Sequence, residues 1–349
     1  MTSIDDIRER LSEIRPAGLK RDIVGAGLVR EVTFTDGTVE VKLMPGPLPQ
    51  PILDATVADI RRAVGALEGV HTTTVTLVRA PEQEMVALPG VADILAVSST
   101  KGGVGKSTVA VNLACAMARR GLRVGLLDAD IYGPSLPMML GLSGRPRTVE
   151  QNKVLPLEAH GLRVMSMGFF LDDTSPVIWR GPLVTGLLRQ FLKDVQWGEL
   201  DVLVVDLPPG TGDVQLTLAQ QVPLSGAVVV TTPQPVSVVD VERGIAMFRQ
   251  VNTPILGVIE NMSDYVCPHC GTHDEIFGSG GAARLGERFG LPLLGRIPIV
   301  AAIRASGDAG RPLTIAEPEH PASRMYTAIA EQVLDGLAAG RAPAPRIVG

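Results

Sequence analysis

A short apolar run, Ile94–Val97, leads directly into Ser98-Ser99-Thr100-Lys101-Gly102-Gly103-Val104-Gly105-Lys106-Ser107-Thr108 and from there into an amphipathic segment. Strand, glycine-rich loop and helix N-terminus in that order leave few folds open. The glycines let backbone N–H groups turn inward around phosphate oxygens, and the helix dipole favours the negative charge. Lys106 can reach the β- and γ-phosphates and the Ser107 hydroxyl can ligate Mg²⁺, while Gly102, Gly103, Val104, Gly105 and Thr108 complete the cradle. The general pattern has Gly where Thr100 stands. Lys101 is an addition to it. A lysine this early lies on the rim, where it can extend over the phosphates of a facing subunit as an arginine finger does, or else remain a solvated surface charge.

Around this loop the chain reads as an α/β protein, a mostly parallel sheet with helices on both faces, preceded by a small α/β domain. The small domain is expected over residues 1–79. Ile4, Ile7, Leu11 and Ile14 have helical spacing, Leu28–Phe34 and Val39–Leu43 are strand-like across Thr35-Asp36-Gly37-Thr38, Ile52–Leu67 is helical and Thr73–Val78 alternates. Residues 80–91, with prolines and charges, read as a linker. The ATPase domain is expected over 92–340. Its strands are Ile94–Val97, Val124–Leu127, Leu162–Met167, Val202–Val205, Ala227–Val230, Ile255–Ile259 and Leu293–Ile297, and its helices include Ser107–Arg120, Leu183–Val195, Val236–Val251, Gly280–Phe289 and Ala322–Leu337. A disordered tail is expected over 341–349.

Two more strand ends carry acids. Asp128-Ala129-Asp130-Ile131-Tyr132-Gly133-Pro134-Ser135 follows the second core strand; Asp130 is assigned to the attacking water and Asp128 to the Mg²⁺ shell, with helix or turn capping as the alternative for each. Asp201-Val202-Leu203-Val204-Val205-Asp206 ends in the carboxylate of a Walker B element, which holds Mg²⁺ through water. In the next loop, Leu207-Pro208-Pro209-Gly210-Thr211-Gly212-Asp213, Gly210 can offer its N–H to the γ-phosphate, so this loop is the candidate switch. Lys101, Lys106 and Asp130 form the expected catalytic set. Asn261, at another strand end, can pair with the adenine edge or merely cap a turn.

Cys267-Pro268-His269-Cys270 places two thiols at the spacing that grips one metal centre, yet supplies half of a tetrahedral set. The third cysteine, Cys115, lies in an apolar helical segment. Completion therefore requires His269, His273 or a second copy of the chain. Four thiolates at a two-fold axis suit a [4Fe-4S] cluster or zinc; a redox dithiol is the competing use of the motif.

Taken together, the double-lysine loop, the Asp128–Ser135 and Asp206–Asp213 stretches and the cysteine pair resemble the Mrp/ApbC family of iron-sulfur carrier ATPases over about residues 93–337. The resemblance implies the deviant Walker A fold shared with nitrogenase iron protein and the Min and Par ATPases. It also implies a homodimer with a labile cluster bridged between subunits and delivered to apo-iron-sulfur proteins. By position, Lys101 matches the signature lysine, Lys106 the Walker lysine, Asp130 the hydrolytic aspartate, and Cys267 and Cys270 the cluster ligands. The N-terminal unit is similar to the small domain that often precedes these ATPases, but Arg15-Pro16-Ala17-Gly18 replaces an acidic stretch and Met44-Pro45-Gly46-Pro47-Leu48 lacks a cysteine.

A net charge of -5 gives no basic footprint for nucleic acid, and no run is long and apolar enough to span a membrane. The polar start, Met1 to Leu11, lacks the apolar core of a secretory signal, so a cytoplasmic protein is expected. The competing function is a ParA- or MinD-like positioning ATPase with zinc as a structural staple between subunits. A small-molecule kinase would use the same loop, but no acceptor pocket is evident in the sequence.

Overall fold

The computed structural model describes residues 2–19, 21–44, 48–78, 86–131, 133–149, 153–170, 181–267 and 269–341. The chain divides into two compact units, Met1–Glu84 and Met85–Gly349. In the first, α1 (Ile4–Leu11) starts at a reciprocal cap in which Asp6 N–H donates to Ser3 Oγ and Ser3 N–H donates to Asp6 Oδ2. Strands β1 (Val29–Thr35) and β2 (Thr38–Leu43) pair antiparallel across a two-residue turn. Asp36 (φ 50°) and Gly37 (φ 76°) both take the left-handed region there, as a type I′ hairpin requires. After α2 (Gln50–Gly65), β3 (Thr72–Leu77) returns parallel to β2. Ile7 and Leu11 of α1, Ile60 and Val64 of α2, and Val39, Val41 and Leu43 of β2 meet in one buried core.

The second unit begins earlier than the sequence suggests. Val86 is buried in its core and donates its N–H to Gln221 O, so 86–91 belong to the ATPase unit; the rest of the expected linker lies outside the described residues. The sheet contains β4 (Val91–Ser98), β5 (Val124–Asp128), β6 (Leu157–Ala159), β7 (Leu162–Ser166), β8 (Leu200–Asp206), β9 (Gly226–Thr231), β10 (Ile255–Val266), β11 (His273–Asp274) and β12 (Leu293–Ile299). Its order is β6-β7-β5-β8-β4-β9-β10, with β11 and β12 both pairing with β10; β6 and β11 run antiparallel to their neighbours and the other pairs are parallel. β4 and β8 are apolar for most of their length because both faces are covered.

The covering helices form two packed groups. One holds α3 (Lys106–Arg119), α4 (Leu136–Met139), α9 (Ala301–Asp308), α10 (Leu313–Ala316) and α11 (Pro321–Arg341); the other holds α5 (Gly181–Asp194), α6 (Asp213–Gln221), α7 (Pro235–Gln250) and α8 (Gly281–Phe289). α3 is buried continuously from Val109 to Met117, trapped between the sheet and α11. Each large side chain there, such as Leu113, gains about 2 kcal/mol by leaving water. The chain runs from β4 to β5 on one side and from β8 to β9 on the other, so the carboxyl end of β4 is a topological switch point where such sheets open a ligand crevice. α11 continues through Arg341, whose Nε donates to buried Asp93 at 3.0 Å; Arg341 is thus helix rather than tail, and residues 342–349 lie outside the described ones. Among the described residues no helix is long and apolar enough to cross a membrane.

Candidate nucleotide and thiol sites

The glycine-rich loop leaves β4 at that switch point. Gly103 and Gly105 hold φ of 79° and 80°, backbone that a side chain would strain, and a Cβ on Gly105 would lie 2.2 Å from Asn261 Nδ2. Lys106, at the start of α3, points its Nζ to Asp206 Oδ1 at 2.6 Å, and Ser107 Oγ donates to Asp206 Oδ2, also at 2.6 Å. Both Lys106 and Asp206 are buried. Burial pushes the Asp206 carboxyl above the ordinary range, against the pull of the Lys106 ammonium. Gly210 (φ 105°) donates its N–H to Ser99 O at 2.9 Å, tying the loop after β8 to the start of the phosphate loop.

Beside this pair, Asp128 ends β5 and is wholly buried. Its Oδ1 accepts from Asp130 N–H and its Oδ2 from Ser135 N–H, Leu136 N–H and Ser166 Oγ, at 3.0–3.3 Å. This is the capping arrangement that was the alternative for Asp128: the carboxylate shapes the loop that carries Asp130. Burial, reinforced by the Asp206 carboxylate, pushes Asp128 up to about 7. Asp130 is different. Its Oδ1 is buried with no hydrogen-bond partner, an acceptor that satisfies the general demand for pairing only with an added polar group or water.

Lys101 is not a free surface charge. Its Nζ lies 3.1 Å from Asp240 Oδ2 on α7, and Arg243, one turn on, lies 3.7 Å from the other oxygen. α7 also meets the loop at Thr100, whose Cγ2 would be 2.8 Å from a Cβ on Gly244. The bulkier rim residue is therefore matched by a missing side chain opposite. Neither Asp240 nor Gly244 could be singled out from the sequence, since nothing local announces which helix packs on the rim.

Asn261 donates its side-chain amide to Val104 O at 2.8 Å, so it braces the phosphate loop from β10. It also lines a cavity of 390 Å³ with Gly105, Thr108, Pro298, Val300 and Ile303, next to the start of α3. The Pro298–Val300 wall comes from the end of β12 and had no motif to mark it.

Cys267 and Cys270 sit at the tip of the hairpin between β10 and β11. Cys267 N–H donates to Thr272 O at 3.0 Å and Gly271 N–H to Cys267 O at 2.9 Å, with Gly271 at φ 70° closing the turn. Cys270 is exposed, and the hydroxyl and backbone of Thr272, with Cys267 beside it, hold its thiol below the ordinary value. Cys115 is the opposite case. Buried in α3, its thiol is pushed up to about 12. Of the two histidines that could complete a set, His269 is exposed and His273 Nδ1 is engaged 2.5 Å from Asp264 Oδ2. Among the described residues, no three His, Cys, Asp or Glu side chains converge where a metal could bind.

Comparison with known proteins shows the family and the fold. The chain is 44% identical over 343 residues to an iron-sulfur cluster carrier protein of Synechocystis, covering 95% of this chain and 97% of the relative. A nucleotide-binding protein of Archaeoglobus fulgidus, solved in complex with ADP, superposes with a TM-score of 0.60 at 40% identity, covering 68% of this chain and 92% of that one. The cell division ATPase MinD of Pyrococcus furiosus shares the fold at a TM-score of 0.53 and 22% identity, over 70% and 99% of the two chains. Residues 4–77 match the family model described as iron-sulfur cluster assembly protein. Residues 90–334 match the NUBPL iron-transfer P-loop NTPase model, and the chain belongs to that family.

Proposed function

We propose that the protein is an ATPase that carries an iron-sulfur cluster on Cys267 and Cys270 and hands it to recipient apo-proteins, with nucleotide controlling the hand-over. The observation that carries this reading is an accessible thiol pair, Cys267 partly and Cys270 fully exposed, at the hairpin tip that follows β10, the strand that braces the phosphate loop through Asn261. A pair that no third metal-ligating side chain joins among the described residues suits cargo shared between two copies. Four thiolates from a homodimer make a [4Fe-4S] ligand set.

In the hydrolytic step, Ser107 and Asp206 would hold Mg²⁺, which would offset the charge on the phosphates. Lys106 then exchanges Asp206 for the β- and γ-phosphate oxygens. Asp130 takes a proton from the water that attacks the γ-phosphorus, on a loop shaped by Asp128, and the unpaired Oδ1 supports that role. Lys101 leaves Asp240 to reach the partner's phosphates, where it offsets charge developing in the transition state. The Gly210 N–H, bonded to Ser99 O, is the group whose partner changes with the γ-phosphate. Adenine occupies the cavity beside Asn261.

Anaerobic reconstitution with iron and sulfide tests the reading. It should yield about one four-iron cluster per two chains, lost in Cys267→Ala. Stoichiometric zinc that resists this exchange would favour the positioning ATPase with a metal staple instead.

A further inference from the structure

β10 serves both halves of the proposed cycle. At Asn261 its side chain holds Val104 of the phosphate loop, and a few residues later the strand ends at Val266, next to Cys267. Between these points it is irregular. Its register against β12 slips between Asn261 and Tyr265, and Met262 takes a φ of 55°. The thiol hairpin is joined to the strand by two ladder pairs, Tyr265 with Asp274 and Val266 with His273.

Asp264, at the end of the irregular stretch, supplies a further tie. One carboxylate oxygen accepts from Ser263 Oγ at 2.5 Å, and the other lies 2.5 Å from His273 Nδ1, across the hairpin. Burial works against the charge, yet the bonds from Ser263 and His273 hold the Asp264 carboxyl below the ordinary range, so it acts as an anionic acceptor. On one side the hairpin is not packed against the core: a cavity of 830 Å³ lies there, lined among others by Tyr265, Val266, Arg296 and Met325.

We infer that Asp264 is a positioning residue: through His273 it fixes the angle of the thiol hairpin on β10, so that a change at the phosphate loop is transmitted along this strand to the two thiols. The inference rests on the carrier reading and gives it a mechanical route distinct from the Gly210 loop.

The test is alkylation of Cys267 and Cys270 by a maleimide in the cluster-free protein, with and without Mg²⁺ and a non-hydrolysable ATP analogue. Buried Cys115 serves as the unreactive reference. In the wild type the analogue should change the labelling rate about fivefold or more, the size of an ordinary coupling between sites. In Asp264→Ala, and in His273→Ala at an exposed position, the ratio should fall to near one while analogue affinity is retained. A purely structural role would shift labelling alike in both conditions and leave the ratio unchanged, which overturns the inference. So does a wild type whose labelling ignores the analogue, or a loss seen in Asp264→Ala alone. No cluster enters the measurement, so failure here is separate from failure of reconstitution.

Discussion

Lys106 Nζ and Asp206 Oδ1 stand 2.6 Å apart at the heart of the nucleotide site, and both side chains are buried. The pair joins the start of α3 to the end of β8, and the same carboxylate takes the Ser107 hydroxyl. Three groups proposed to bind phosphate and metal thus satisfy one another, which spares each the cost of burial alone.

Removing one partner exposes that cost. Lys106→Met should abolish ATP hydrolysis and destabilise the ATPase unit by about 3 kcal/mol at pH 8, because Asp206 is left as an unpaired buried charge. The loss should be smaller at pH 5.5 than at pH 8, because burial holds the Asp206 carboxyl above its ordinary range and acid favours the neutral form. Urea denaturation at the two pH values checks both statements, and equal losses would contradict them.

Asp128 makes stability itself depend on pH. Its folded value of about 7 lies above the unfolded 3.8, so the folded chain binds the extra proton between them. This contribution is favourable to folding at the acid end and is lost as pH rises through the window, flat again above it; the gap is worth about 4 kcal/mol. Asp128→Asn should flatten the pH profile of unfolding between about pH 4 and 7. It should also cost about 1 kcal/mol throughout, since an amide NH₂ would meet backbone N–H groups.

Where chemistry is local, the sequence was legible. The strand, loop and helix order around Lys106, the acids closing β5 and β8, and the thiol pair follow from residue types at short spacing, and the structure places the loop and both acids around one crevice. Pairings across distance were not legible. β11 is two residues long and exists only because β10 runs past Asn261 through an irregular stretch, so neither the strand nor the Asp264–His273 bond had a periodic signature. α6 was missed between Gly212 and Val222 because a short, mostly polar helix after a glycine-rich loop resembles more loop. Lys101 read as either a reaching or a solvated cation; its partner Asp240 comes from a helix brought in by the fold.

The rim of the phosphate loop offers a two-residue test of fit. Adding a methyl at Gly244 brings a carbon 2.8 Å from Thr100 Cγ2, and the short β-branched side chain has little room to turn away. Gly244→Ala should therefore lower the ATPase rate about tenfold by moving the backbone that carries Lys101. Thr100→Gly in the same chain should restore most of it, and a double variant as slow as the single would show that the clash is not the cause.

The three cysteines should separate cleanly. Cys115 is buried with its thiol held protonated, whereas Cys267 and Cys270 share an accessible hairpin tip, and only a thiolate ligates metal. Cys115→Ala should keep the full reconstituted cluster and lose about 1 kcal/mol or less of stability. Cys267→Ala and Cys270→Ala should each lose the cluster completely rather than by half, because a centre bridged by two copies loses two ligands for every residue removed. Stripping iron with a chelator should likewise shift the cluster-loaded dimer to monomer in sedimentation runs without nucleotide. A Cys270→Ala protein that retained half the iron would instead place a complete site within one chain, and the shared centre would have to be abandoned.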